Sequence, residues 1–285
     1  MTTPSIERTF DRHPSPPSQS ARYSVRRAGV GRTVERFEIH WGLTPDFPLD
    51  QGEEGACVGF GVSAELSADP IMLPTGTPFA FRLYELARAQ DRAMGLNFPS
   101  GATVLGGLRA ALDLGQIQGF AWAQDSDQLL DAVLQHGSVV LGTNWYSGMD
   151  RLTGEGLARV SGFVRGGHCY TIVGYIPRFA VRDQATGAVS YVEVYECINS
   201  WGSAYGKNGR FYLPRADADR LVFAEQGEAA IVTDTPITPT PVLGWRQALA
   251  QLMALVRRFR LRSTAAVAAD DGAQAEDEQH GDQPQ

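Results

Sequence analysis

The chain has 285 residues, 43% of them hydrophobic and 20% charged, with a formal net charge of −7. That length suits one large domain or two modest ones, and the composition is that of a globular protein rather than a fibrous one. The acidic balance, with no long basic stripe through the central region, speaks against a nucleic-acid partner. No run approaches the roughly 18 apolar residues of a membrane span.

Residues 1–45 read as an N-terminal extension. Its first part, Met1 to Ser20, is polar and rich in Ser and Pro, and is expected to be disordered. It has no apolar h-region, so it does not read as a secretory signal. Tyr23 to Trp41 holds short alternating stretches that predict a strand laid on the core. Asp46-Phe-Pro-Leu-Asp50 is an extended lead-in, because a residue before proline is pushed out of the helical region.

Ala56 to Ala68 then predicts a helix with Val58, Val62 and Leu66 on one face and small residues between them. Cys57 stands at its N-terminal end, where the helix dipole favours a thiolate. Further helices are expected over Pro78–Ala93, Thr103–Leu114 (closed by Gly115) and Asp127–Gln135, stopped by Gly137. The pattern then turns to strands at 138–142, 168–175, 191–198 and 209–213. Helices first and strands later predict an α+β fold of two lobes, with the main domain over 46–236.

Residues 237–243 form a Thr/Pro linker. Residues 244–263 are a basic amphipathic helix, with Trp245, Leu249, Leu252, Val256 and Phe259 on one face. The helix could meet an anionic membrane surface, a partner protein or its own domain. Residues 264–285 are an acidic tail too polar to fold.

The cysteines are Cys57, Cys169 and Cys197, without the paired spacing of a disulfide scaffold. A reducing, cytoplasmic setting is the simpler reading, with export or virion packaging left open. No Cys/His spacing suggests zinc, and no cofactor is expected.

Chemistry concentrates in three segments. Gln51-Gly-Glu-Glu-Gly-Ala-Cys57 puts an amide and two glycines just before a thiol at a helix start. Gly166-Gly-His168 opens a strand that continues as Cys-Tyr-Thr-Ile-Val-Gly-Tyr175. Asn199-Ser-Trp-Gly202 is followed by Tyr205-Gly-Lys-Asn-Gly209. A thiol is only a few per cent ionised at neutral pH, so it needs a base to attack a carbonyl at useful rates.

In order and flanks these segments resemble the papain-like cysteine peptidases of bacterial or phage type, from about Leu49 to Leu213. The resemblance implies a helical left lobe, an antiparallel β right lobe and an active-site cleft between them. It makes Cys57 the nucleophile, His168 the base and Asn199 the residue that orients the imidazole. Gln51 becomes the oxyanion donor beside the Cys57 amide, and Trp201 the shield over the His–Asn pair. Gly101 is matched to a glycine that meets the substrate backbone. The implied substrate is a polypeptide.

Two departures stand out. Glu54 replaces a cysteine that usually braces the loop, so no disulfide is expected. Val58 replaces the usual bulky aromatic after the nucleophile. A catalytically silent papain-fold module for binding or assembly is the alternative, as is an amidase or transpeptidase using the same residues.

Overall fold

The computed structural model describes residues 8–20, 35–183 and 185–233. The linker, the amphipathic helix and the acidic tail expected after residue 236 lie outside them, as does most of the strand expected from Tyr23. The elements run β1 (Arg12–His13), α1 (Pro17–Ser20), β2 (Ile39–His40), α2 (Cys57–Ser67), α3 (Thr77–Ala93), β3 (Ala102–Thr103) and α4 (Val104–Asp113). They continue with β4 (Gly119–Trp122), α5 (Ser126–Gln135), β5 (Val139–Tyr146), β6 (Val164–Arg182) and β7 (Val189–Ile198). The last are β8 (Arg210–Pro214), α6 (Arg215–Asp219) and β9 (Glu228–Thr233).

Seven strands form one sheet in the order β4-β9-β5-β6-β7-β8, with β2 on β6, and every pairing in it is antiparallel. A strand's side chains alternate between its faces, and β5 uses both. Val140 joins the core formed with α2, α3 and α4, whereas Val139 and Leu141 join the core formed with α5, β7 and β8. The helices and the β-rich layer thus divide the molecule into the two expected parts. Among the described residues no helix is long and apolar enough to cross a membrane.

α2 departs from its expected one-sided stripe, since all eleven of its residues are buried. It lies on β6, where Thr171 Oγ1 donates to the Gly61 carbonyl at 2.7 Å. Gly61 permits this approach, because a Cβ there would come within 2.6 Å of Cys169 Sγ.

α4 begins as its sequence dictates. Thr103 Oγ1 accepts from the Gly106 amide at 2.9 Å, and the buried Asp91 on α3 accepts from both the Thr103 amide and hydroxyl. The cap satisfies one of the amides that a helix start leaves without a partner.

The N-terminal segment is the main correction. Residues 8–20, expected to lack structure, are ordered: β1 pairs in parallel with β3, and Asp11 bridges to Gly167 on β6. Composition measures whether a segment can form its own core. It is silent on a short stretch that borrows one.

Candidate active site

Three chain segments converge on the N-terminus of α2. The Gln51 amide donates to the Ser200 carbonyl at 2.9 Å, and the Gly202 amide donates to the Leu49 carbonyl at 2.9 Å. These bonds join the loop before Cys57 to the loop after β7. β6 supplies the third side, with His168 following Gly166 and Gly167.

The imidazole of His168 is fully buried, and its Nε2 bonds to Asn199 Oδ1 at 2.8 Å. Asn199 Oδ1 also accepts from the Ser200 amide at 2.8 Å, which holds the side chain in place. The other ring nitrogen, Nδ1, is buried without a hydrogen bond. Trp201 lies against the imidazole with ring centroids 5.1 Å apart, and Trp145 approaches edge-on at 4.9 Å. An aromatic wall of this kind keeps water from the His168–Asn199 bond and strengthens it.

Cys57 is also fully buried. Its thiol is within hydrogen-bonding reach of the backbone N–H groups of Cys169 and Asp11. The first of these amides belongs to the peptide unit that joins His168 to Cys169, so the thiol and the base share one short stretch of β6. Gln51 is buried beside them. Its amide nitrogen donates to the Glu54 carbonyl at 2.6 Å, and its Oε1 accepts from the Ser200 hydroxyl at 2.5 Å.

The helix dipole was expected to favour a thiolate, but the opposite holds. Burial pushes the Cys57 thiol up to about 11, outweighing the two backbone donors; the Asp11 carboxylate adds to the rise, while Arg12 opposes it. Burial also pulls His168 down to about 4, against the Asn199 bond. A dipole acts on charge through a fraction of a unit, whereas losing water acts on the whole charge. At neutral pH the pair is therefore thiol and imidazole, both uncharged.

The cover comes from the chain's own N-terminus. Arg8 binds Asp50 at 2.6 Å and the Gly52 carbonyl, and Thr9 donates to the Glu53 carbonyl. Phe10 sits edge-on to His168 at 5.8 Å and to Trp201 at 5.7 Å, and stacks on Trp145. Asp11 passes over Cys57, its carbonyl accepting from Ala102 N–H at 3.3 Å and its carboxylate from the Ser100 hydroxyl. Arg12 is ion-paired to Glu228, and His13 stacks on Phe98 at 3.7 Å.

Gly101 belongs to this contact. It has φ of +79°, its amide is held by the Tyr84 hydroxyl at 2.9 Å, and any Cβ would strike the Asp11 carbonyl. Gly166 and Gly167 likewise face Phe10 and Arg12 with no room for a side chain. Sequence reasoning missed Phe10, Asp11, Arg12, Trp145 and Glu228. The one available signal was the run Thr-Phe-Asp-Arg-His within an otherwise Ser/Pro-rich stretch.

Among the described residues no group of three or more His, Cys, Asp or Glu could hold a metal ion, and the three cysteines are free thiols.

No family model matches the chain, and no curated protein matches it. Solved structures do. Procathepsin B S9 from Trypanosoma congolense superposes with a TM-score of 0.50 at 12% identity, over 79% of this chain and 87% of that one. Xylellain, a cysteine protease from Xylella fastidiosa, gives 0.48 at 18% identity over 79% and 91%. Digestive procathepsin L 3 of Tenebrio molitor gives 0.43 at 16% identity, and the chain spans 65% of its length. The fold is that of the papain-like cysteine proteases.

Proposed function

We propose that the protein is a cysteine peptidase in which Cys57, His168 and Asn199 form the catalytic triad. The observation that carries this reading is the His168–Asn199 bond, which leaves Nδ1 free on the strand whose Cys169 amide meets the Cys57 thiol. A buried imidazole with one nitrogen anchored by an amide and the other uncommitted is what an orienting residue provides for a base.

In that reading His168 removes the thiol proton, and the sulfur attacks the scissile carbonyl carbon. The C=O π electrons move to oxygen, where the Cys57 N–H and the Gln51 amide stabilise them. When the tetrahedral intermediate collapses, the C–N bond breaks and the imidazolium protonates the departing amine. A thioester remains on Cys57. Water, with its proton taken by His168, then attacks the thioester and releases the carboxylic acid and the free thiol.

Burial holds both groups neutral, and residues 8–15 supply part of that burial. Residues 8–15 exclude water from the pair, and ionisation becomes affordable when they leave and water returns. The test is a digest of a peptide library by the full-length protein and by Cys57→Ala, together with labelling by an epoxide thiol reagent. Cleavage by the parent alone, with label on Cys57 ahead of Cys169 and Cys197, is the expected result. Labelling that prefers Cys169 or Cys197, or cleavage by Cys57→Ala, would remove the assignment. Labelling without cleavage of any peptide would favour the silent papain-fold module.

A further inference from the structure

A Cys57–His168 mechanism uses one of the chain's three thiols and leaves two buried and free, at Cys169 and Cys197. Those two differ in where the sheet puts them. His168 and Cys169 are neighbours on β6, and a strand turns successive side chains to opposite faces. His168 meets Trp145 and Trp201, whereas Cys169 faces α2 and shares a core with Cys57, Phe60 and Val140. Cys197, on β7 opposite Ile172, belongs to the core formed with α5 and β8. Cys169 is therefore the thiol on the nucleophile's side of the sheet.

The two cysteines are close. The Cys169 backbone N–H is within hydrogen-bonding reach of the Cys57 sulfur, and the Cys169 Cα is about 1.5 Å from that nitrogen. Its side chain thus starts beside the sulfur, the neighbourhood in which a disulfide closes across Cα atoms less than about 7 Å apart. The Cys169 thiol rests against Gly61, one helical turn after Cys57, where a Cβ would come within 2.6 Å of it. A narrow apolar void lined by Phe60, Gly61, Ala64 and Cys169 adjoins this contact. The void gives the side chain space to turn toward Cys57. A charge on Cys57 is also felt at Cys169, whose proton it helps to hold.

We propose that Cys169 is a resolving thiol for Cys57, so that a hydroperoxide converts the pair to a Cys57–Cys169 disulfide and switches the nucleophile off reversibly. This rests on the peptidase reading for the reactivity of Cys57 and adds the regulation of that site. In the first step the Cys57 thiolate, its proton taken by His168, attacks one peroxide oxygen. The S–O bond forms, the O–O bond breaks, and the leaving oxygen takes the proton from the imidazolium. Sulfur loses two electrons to the peroxide and becomes a sulfenic acid. In the second step the Cys169 sulfur attacks the Cys57 sulfur. The S–S bond forms, the S–O bond breaks, and the Cys169 proton departs with the hydroxyl as water. Capture at this stage spares Cys57 the irreversible sulfinic and sulfonic acids.

The first measurement uses the full-length parent alone. After hydrogen peroxide, free thiols are blocked with iodoacetamide and the protein is digested without reductant for mass spectrometry. The expected product is a peptide pair joining Cys57 to Cys169, separated by dithiothreitol, with Cys197 alkylated. Cys57 that stays alkylatable, or that is recovered as a sulfonic acid or joined to Cys197, would overturn the proposal.

The second measurement compares Cys169→Ala with Cys197→Ala, both full-length. Dithiothreitol after peroxide should restore alkylation of Cys57 in the parent and in Cys197→Ala at least tenfold more completely than in Cys169→Ala. Equal recovery in Cys169→Ala would overturn the role of the second thiol, since it would show Cys57 protected in another way, such as a bond to the Cys169 backbone nitrogen. Neither readout needs turnover. Cleavage of fluorogenic peptides should follow the same pattern, lost with peroxide and regained with dithiothreitol in the parent only when Cys169 is present. A Cys57–Cys169 crosslink in a protein that cleaves no peptide would refute the peptidase reading and leave the disulfide standing.

Discussion

Glu65, two turns along α2 from Cys57, offers a measurable consequence of a helix buried on every side. The residue is 3% exposed, and burial pushes its carboxyl up to about 8 against one stabilising bond from Ser138. No basic partner is among the causes. A group whose folded value lies above its unfolded value of 4.5 keeps its proton on folding across that window and loses it on unfolding. Its contribution to stability is complete below pH 4.5, declines as pH rises, and levels off above about pH 8. The slope is about 1.4 kcal/mol per pH unit, so the decline reaches roughly 3 kcal/mol by pH 7.

Glu65→Gln keeps the shape and a hydrogen-bonding group but removes the titration. The variant should match the parent at pH 4.5 and exceed it by on the order of 3 kcal/mol near pH 7. Urea unfolding of the two full-length proteins at pH 4.5, 6 and 7.5 measures the difference. His168 works in the other direction, because its depressed value makes the fold gain stability as pH rises from about 4 to 6.5. Both proteins carry His168, so the difference between them cancels it. A difference that does not grow with pH would refute the assignment of Glu65 as a buried, protonated acid.

Gln51→Ala should lower kcat on peptide substrates by roughly a hundredfold with KM little changed, the expected cost of one oxyanion donor. A rise in KM alone would make Gln51 a ground-state contact. Asn199→Ala should lower kcat and disturb the low-pH limb of the kcat profile, since the imidazole loses both its orientation and the bond that raises its affinity for a proton. An unchanged profile would remove Asn199 from the triad. Thr103→Ala, which removes the α4 cap and one bond to buried Asp91, should cost about 1–3 kcal/mol in urea unfolding. Reductant should leave the melting temperature unchanged, because Cys57, Cys169 and Cys197 are all free; a fall of several degrees would indicate a disulfide.

The architecture was legible where periodicity is strong. The helices expected from Pro78 and Asp127 are found at Thr77–Ala93 and Ser126–Gln135, each begun within a residue of its proline or Asp signal. Strands that carry β-branched and aromatic runs, such as those through Tyr170 and Tyr195, were equally plain, although β6 extends far beyond its expected end at Tyr175. That extension is a bulged two-stranded ribbon with β7, and none of its β6 residues from Ile176 to Arg182 is buried, so it lacks the apolar core pattern that marks the rest of the strand. At the site, the three motifs and their resemblance to the papain-like peptidases pointed to Cys57, His168, Asn199 and Gln51, and the structure brings the segments that carry them together. The ionisation state was not legible. It depends on what covers the pair, and the cover is a segment whose composition argues for disorder.

The cover and the ionisation of Cys57 are two sides of one equilibrium. Burial raises the thiol from its ordinary value of 9.0 to about 11, equivalent to roughly 3 kcal/mol, or a factor on the order of 100. If most of that shift comes from water excluded by residues 8–15, reciprocity requires the thiolate to weaken the hold of the segment by the same factor. Asp11 sharpens the coupling, since its carboxylate raises the thiol's value and would repel the sulfur once ionised. Arg12 opposes it, but its charge is already committed to Glu228. The residue over the nucleophile thus disfavours the reactive form, while its neighbour anchors the segment. One short run, Phe10 to Arg12, thereby links occupancy of the cleft to the charge state of the sulfur without any change elsewhere in the fold.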